Sequence, residues 1–293
     1  MPRIRKSEIL LVINPNAGKR NIRLVMKTIR EMGNDIQYII THDLQAFEQE
    51  IKKEFDTHKV FVAVGGDGTV NSLIKYLIHC QDKALAILPF GSGNGFANEL
   101  GFKNDLKNLI NKIIAGDMLD IDVLEINGNY FLNLAGIGLD AEIAHRFQTS
   151  GERGFISYIF STIRTYFSYK PILASISGDN IQEHGHFQMM CIANTRQFGN
   201  NAYISPKSDP MDGTFEIILL KDIPFLHAIS FVIRLFKGTL KDSTYIKYLV
   251  SDGPVDIETN SNKYHIDGDP MTSDGNYHIN LNPKSLKVVK MYH

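Results

Sequence analysis

Two cysteines, Cys80 and Cys191, are all that 293 residues contain. Each sits in an apolar run, so they read as buried thiols of a reducing compartment rather than a disulfide or a metal site. Net charge is also nearly absent: 31 Lys and Arg stand against 32 Asp and Glu. A nucleic-acid partner usually leaves a basic excess, and there is none. No run approaches the ~20 apolar residues that span a bilayer. The N-terminal "MPRIRKSEILLVINP" has an apolar stretch too short for the core of a signal peptide. These absences point to a cytoplasmic chain, and they do not exclude a substrate carried by a membrane. Low-complexity linkers are missing too, which predicts tightly joined domains with a cleft between them. The hydrophobic content of 43% is enough for one large domain or two ordinary ones.

The first ~120 residues alternate strand and helix patterns. "EILLVI" (Glu8–Ile13), "DIQYIIT", "KVFVAV" and "ALAIL" (Ala84–Leu88) read as strands. Helices follow the first three: one starts near Arg20, one carries Leu44, Phe47 and Ile51, and one shows Val70, Leu73, Ile74, Leu77 and Ile78 on a single face. "PFGSGNG" and a short helix follow the fourth. The repeat predicts a mostly parallel sheet whose strand-to-helix loops gather at its carboxyl edge, where ligands bind. After residue 120 the pattern turns to β. A hairpin is expected around Asn127-Gly128. Strands follow at "ILASIS", "FQMMCIA", "TFEIILL", "YIKYLV", "PVDIET", "KYHID", "YHINLN" and "LKVVKM", with helical interruptions at 153–168 and 224–238. The second half is therefore a sandwich or a barrel.

Three glycine-bearing loops fall on the carboxyl edge. In "GGDGTVN", Gly65 and Gly66 permit a sharp turn and close approach to a ligand. Asp67 or Thr69 can cap the next helix, whose free N–H groups attract an anion. Asp67 is the anomaly. A carboxylate ~5 Å from a phosphate charge, at an effective dielectric of ~20, is repelled by roughly 3 kcal/mol. A loop built only to hold phosphate would not carry that penalty. A bridging metal ion reverses the sign, as does a carboxylate facing an incoming hydroxyl. Either reading makes Asp67 a phosphoryl-transfer residue; the plainer reading is a cap in a tight turn. "NPNAGKR" is only partly a P-loop: it has Gly18-Lys19, lacks the upstream glycine, and carries Arg20 where Ser or Thr would bind Mg²⁺. "FGSGNGF" offers Ser92 and Asn94 as donors between glycines.

Taken in order and at these spacings, "NPNAGK", "GGDGTVN" and "PFGSGNGFA" resemble the lipid kinase family of diacylglycerol and sphingosine kinases, its small soluble bacterial members best. "FLNLAGIGLDAEIA", "IANTRQFGNNAYISP", "DPMDGTFEI" and "HIDGDP" extend the resemblance over nearly the whole chain. It implies an α/β nucleotide domain of the NAD-kinase and phosphofructokinase type over 1–120, and a β-sandwich lipid domain over 121–279. The last strands, about 280–293, return to the first domain, and ATP lies between the two. Family ATP contacts fall on Asn14, Thr41, Gly65, Gly66, Asp67, Gly68, Thr69, Asn71 and Ser92, with Asn94 in the same loop as Ser92.

The same resemblance assigns the chemistry. Asp269, the second acid of "HIDGDP", matches the proton acceptor of bacterial members, whereas sphingosine kinases point to Asp67. We take Asp269 as base and Asp67 as organiser of a catalytic Mg²⁺; the plain reading of "DGDP" is a β-turn. "DPMDGTFEI" matches a structural Mg²⁺ loop, with Asp212 giving its side chain and Asp209 and Thr214 their carbonyls; the plain reading is a hairpin turn at Asp212-Gly213. Met211 stands where relatives often have a second acid. Asp140 lies where relatives approach the lipid head group. "GFISYIFSTIRTYFSYK" (Gly154–Lys170) and "PFLHAISFVIRLFKG" (Pro224–Gly238) read as core helices or as segments meeting an acyl chain or a membrane interface. Transient contact with a membrane surface and pairing into a homodimer are both compatible with this reading. His184 and His186 have no third ligand at zinc-like spacing and read as surface or half-buried histidines. Two rivals remain. One is an NAD kinase-like phosphotransferase, which shares the "GGDGT" turn. The other is a silent nucleotide- or lipid-binding protein.

Overall fold

Four apolar runs become four parallel strands: β1 (Ile9–Ile13), β2 (Gln37–Ile40), β3 (Val60–Gly65) and β4 (Ala84–Pro89), in the order β2-β1-β3-β4. The computed structural model describes residues 3–292 apart from 18, 34, 41–43, 92, 151–164 and 167. β1 and β3 are buried at every position, as unbroken Val/Ile/Leu runs of parallel sheets are. β2 is the exposed edge. Glu8 is not part of the first strand. It closes a single 3₁₀ turn (Lys6–Glu8), and its carboxylate takes Arg5 at 3.1 Å and Lys59 at 2.8 Å.

The helices are α1 (Lys19–Glu31), α2 (Leu44–Glu54), α3 (Asp67–Leu77), the short α4 (Gly95–Glu99) and α5 (Leu106–Ala115). Helix α5 lies outside the helices expected from periodicity. It is a well-marked helix all the same: the Asp105 side chain caps the Asn108 N–H at 3.0 Å, and Gly116 ends it in the left-handed region.

The chain forms two compact units: Met1–Ile121 with Lys284–His293, and Asp122–Pro283. The second begins within β5 (Met118–Ile126). This strand turns through Asn127 and Gly128, both at positive φ, into β6 (Asn129–Phe131), the expected two-residue hairpin. The remaining elements are β7 (Leu134–Gly138), α6 (Leu139–Ser150), β8 (Ile172–Gly178), β9 (Ile181–Phe187), β10 (Met189–Ala193), β11 (Phe215–Leu220), α7 (Phe225–Lys237), β12 (Ile246–Ser251), β13 (Val255–Thr259), β14 (Lys263–Ile266), β15 (Asp269–Thr272) and β16 (Asn276–Val289).

One antiparallel sheet of this unit runs β12-β11-β10-β7-β14-β15, and a second runs β16-β13-β8-β9. Period-two alternation builds two cores. Met190 and Ile192 of β10 join Ile137, Ile217, Ile176 and Ile257 in one cluster; Cys191 and Ala193 face a second cluster with Ile218 and Leu220, against which Ala228, Phe231 and Leu235 of α7 pack.

Several sequence boundaries move. "FQMMCIA" is split: Phe187 ends β9, and β10 starts at Met189. Between them the buried Gln188 donates its N–H to Leu220 and accepts from Leu139 N–H, so its backbone serves two other elements. The two final strands are one, because Pro283 and Lys284 (φ 49°) interrupt the regular backbone without ending β16. Its Val288 pairs in parallel with Leu85 of β4. Helix 224–238 is α7, while helix 153–168 falls almost wholly outside the described residues. Cys191 is buried and Cys80 only half-buried, so the second thiol is less enclosed than expected; both are free. His184 and His186 are exposed on β9, and His184 Nδ1 meets Ser175 Oγ at 2.8 Å. Among the described residues no helix is long and apolar enough to cross a membrane.

Candidate active site

In the strand order β2-β1-β3-β4, the chain leaves β1 towards β2 and then crosses to β3 on the other side. Connections therefore diverge between β1 and β3. In open α/β sheets that divergence leaves a crevice outside the carboxyl ends, where ligands bind. The loops flanking it carry Asn14 and Gly65–Thr69. They are tied together: Asn14 Nδ2 donates to Thr69 Oγ1 at 3.0 Å, and Asn14 N–H donates to the Val64 carbonyl at 3.0 Å. Asn14 Oδ1 accepts from the Asn16 N–H at 2.8 Å.

The third loop is joined by backbone contact. A Cβ on Gly91 would lie 2.6 Å from Gly66 Cα, which excludes a side chain there, and one on Gly66 would crowd Gly91 Cα at 3.0 Å. The Asn94 side chain is spent on holding this loop: its Oδ1 accepts from Gly91 N–H at 2.9 Å, and its Nδ2 donates to Gly91 O at 2.7 Å. Thr41 and Ser92 lie outside the described residues. Asn71 is half-buried on α3.

Neither Asp67 nor Thr69 caps α3. The cap is Gly66, with no side-chain cap bond, and its carbonyl accepts from Thr69 N–H at 3.0 Å and Val70 N–H at 3.2 Å. The turn is tight enough that the backbone closes itself. Asp67 is instead the first helical residue, half-buried, and its Oδ2 would stand 3.4 Å from a Cβ on Gly93, so it faces the third loop. Gly68 is exposed beside it. The carboxamide oxygens of Asn14 and Asn94 already accept backbone N–H groups, which leaves the Asp67 carboxylate as the hard-oxygen donor of this rim. A single carboxylate suits an Mg²⁺ ion that takes its other ligands from water and nucleotide phosphates.

The second unit holds a pair that no single motif of the sequence marks. Gly138 (φ +96°) turns β7 directly into α6, so Asp140 falls in the first turn of the helix and is buried. Its Oδ2 lies 2.7 Å from Nε2 of His265 on β14, itself buried. The Gly268 N–H lies 3.2 Å from His265 Nδ1, a bond open to the neutral imidazole, while Nε2 and Asp140 Oδ2 are close enough to interact electrostatically but are not aligned as a hydrogen bond. The space for this pair is made by Gly136, which is paired with His265 in the sheet register: a Cβ there would lie 2.3 Å from both Asp140 Oδ2 and His265 Nε2. Gly136→Ala is expected to cost roughly 3 kcal/mol or more, since a methyl group would collide with both members of a buried His–Asp pair. Thermal unfolding should show the loss, while Gly128→Ala, which meets nothing within 4 Å, should show only the smaller cost of its positive φ.

Asp269 follows from that pair. Asp267 (φ 50°) and Gly268 (φ 90°) form the two-residue turn joining β14 to β15, so "DGDP" is indeed a β-turn. Asp267 Oδ1 accepts from Leu134 N–H at 2.8 Å, which fixes the turn on β7. Asp269 opens β15 and keeps solvent contact. Surrounding protein pushes its carboxyl above the usual 3.8, and the His265 charge partly opposes this. For His265, burial favours the neutral form, but the Asp140 carboxylate, with Asp267 and Asp269 behind it, raises its pKa above 6.5. The clue in the sequence was His265 itself, which begins "HIDGDP".

The Asp212 loop is closed by its own hydrogen bonds. Asp212 Oδ1 accepts from both the N–H and the hydroxyl of Thr214 at 2.8 Å, and the Asp209 carbonyl accepts from Asp212 N–H at 3.3 Å. Beneath it the fully buried Asp122 accepts from Gly213 N–H at 2.8 Å. Among the described residues, no three His, Cys, Asp or Glu side chains cluster as a metal site.

Residues 8–126 match the model of the diacylglycerol kinase catalytic domain, and residues 133–290 match that of the YegS C-terminal NAD kinase beta sandwich-like domain. The chain is 28% identical to "Lipid kinase YegS" of Escherichia coli (strain K12), over 95% of this chain and 94% of that protein. It is 27% identical to "Probable lipid kinase YegS" of Shigella flexneri with the same coverage. A putative diacylglycerol kinase from Bacillus anthracis str. Sterne has the same fold, with a TM-score of 0.77 at 20% identity over 99% of both chains. An NAD kinase from Archaeoglobus fulgidus in complex with ATP is more distant, with a TM-score of 0.56 at 12% identity over 96% of this chain and 93% of that one.

Proposed function

The chain belongs to the lipid-kinase family made of a diacylglycerol kinase catalytic domain and a YegS C-terminal NAD kinase beta sandwich-like domain, and from that premise we propose that it transfers the γ-phosphoryl group of ATP to a hydroxyl of a lipid alcohol. The acceptor class is diacylglycerol, a sphingoid base or a related lipid. The observation that carries the donor half is the knitting of three glycine loops at the point where the sheet connections diverge. Backbone N–H groups at the start of α3 orient the phosphates, and Asn14 with Thr69 holds the loop that presents them. Asp67 organises Mg²⁺, which when bound neutralises charge on the triphosphate. Asp269 takes the proton of the acceptor hydroxyl as the oxygen–phosphorus bond forms. His265, held by Asp140, positions the turn that carries Asp269.

In the same proposal a second Mg²⁺ sits at the Asp212 turn, drawing on that carboxylate and on the Asp209 and Thr214 carbonyls. It serves stability rather than chemistry. EDTA is expected to lower the melting temperature of the parent by a few degrees and to leave Asp212→Ala unmoved; equal shifts in both would remove this ion.

The substrate is found by incubating the enzyme with ATP and a total lipid extract and following new phosphorylated species by mass spectrometry. NAD is included as a competing acceptor. Phosphorylated NAD with no phosphorylated lipid would overturn the lipid assignment and keep the phosphotransferase. ATP binding without any transfer would overturn both.

A further inference from the structure

Helix α7 has two apolar sides. Ala228, Phe231 and Leu235 face inward against the core cluster of β10 and β11. At 100° per residue a surface helix should show polar residues on its other side. Instead Ile229, Val232 and Ile233 are 50%, 47% and 50% exposed, and Phe236 is 38% exposed, at the i, i+3, i+4, i+7 spacing of one stripe. These are four of the ten large hydrophobic residues exposed anywhere in the described chain, so they form a patch rather than the usual scatter.

The edge of the stripe is basic. Helix α7 contains no acid, and its last turn carries Arg234 and Lys237. With Ile229, Ile233 and Lys241 these two line a shallow groove of about 750 Å³ along the stripe. None of the three cations is in an ion pair among the described residues. Asp242, next to Lys241 in the sequence, accepts from Tyr248 N–H at 3.0 Å. An apolar stripe beside unpaired cations is the pattern of a helix lying in a membrane interface. A second copy of this chain would set the same cations against each other across a two-fold axis.

We propose that α7 docks this enzyme on an anionic phospholipid bilayer, with Ile229, Val232, Ile233 and Phe236 entering the acyl boundary and Arg234, Lys237 and Lys241 meeting head-group phosphates. The docking rests on the lipid-kinase reading only for its purpose, since it brings the enzyme to a substrate that does not leave the membrane.

The test is sedimentation of the full chain with vesicles, without ATP. Vesicles of phosphatidylcholine alone are compared with vesicles that also contain phosphatidylglycerol. The parent is expected to bind only the anionic vesicles, and less well as salt rises. Ile229→Ser with Ile233→Ser, and separately Arg234→Gln with Lys237→Gln, should each weaken binding roughly tenfold or more. Both pairs are exposed, so melting temperature and ATP affinity should match the parent. Absence of binding by the parent overturns the proposal, and so does binding that neither double variant weakens. A parent dimer that the Ile229→Ser/Ile233→Ser variant converts to monomer, with no vesicle binding, gives the face to a second copy instead. Because the readout is partition rather than turnover, vesicle binding without lipid phosphorylation would sink the kinase reading and leave the docking face standing.

Discussion

Asp269→Asn is expected to lower phosphoryl transfer by roughly 10²–10⁴-fold, the span typical of losing a general base, with ATP affinity unchanged. An alcohol holds its proton at neutral pH, and asparagine can accept a hydrogen bond but cannot take the proton. The pH profile sharpens this. A carboxylate base works only when ionised, so kcat/KM should rise with pH through its pKa, and partial desolvation by the surrounding protein places that limb above 3.8. His265, whose own pKa is raised, is still charged in that range and holds the limb down. His265→Gln should therefore move the acid limb to higher pH and leave the plateau above it closer to that of the parent. A uniform loss at all pH values would reduce His265 to packing. An Asp269→Asn enzyme with parental turnover would remove the base from this mechanism altogether.

The donor side was far more legible in the sequence than this acceptor side, and the reason is distance along the chain. Strands β1, β3 and β4 are unbroken apolar runs that end in glycine turns, so the strand, the loop and the start of the helix are local facts. The convergence of those loops follows from the parallel topology alone. What locality could not supply was the fit. Nothing near Gly66 says that Gly91 will press against it, and Asn94 reads as a phosphate donor until its amide is found on Gly91.

In the second unit the same limit is more severe. "HIDGDP" and "GIGLDAEIA" each look complete as motifs. Only the register His265↔Gly136, with Asp140 folding back from α6, makes one buried pair of them. Helix α6 itself was hidden, because its first turn is entered straight from a strand at Gly138 with no polar linker to mark the change. The surface stripe of α7 was ambiguous for the opposite reason. Apolar residues all around a helix signal burial on every side, and only coordinates separate the face that is packed from the face that is open.

The second large effect concerns the acid in the glycine loop, and here two measurements should move in opposite directions. Asp67→Asn is expected to reduce turnover in Mg²⁺ by roughly 10²–10³-fold, the scale of losing a preorganised charge at a phosphoryl-transfer site. In EDTA the same variant should bind ATP more tightly than the parent, because the parent sets a carboxylate against phosphate with no cation to reverse the sign. At ~5 Å and an effective dielectric of ~20 that repulsion is roughly 3 kcal/mol, ample for isothermal titration to detect even after solvent screens most of it. A residue serving only the dipole of α3 predicts something different: a stability loss of about 0.3–1 kcal/mol, unchanged turnover, and no inversion between Mg²⁺ and EDTA. Gly66, not Asp67, caps the helix through its backbone, so capping does not account for this carboxylate, and the Mg²⁺ and EDTA titrations decide what does.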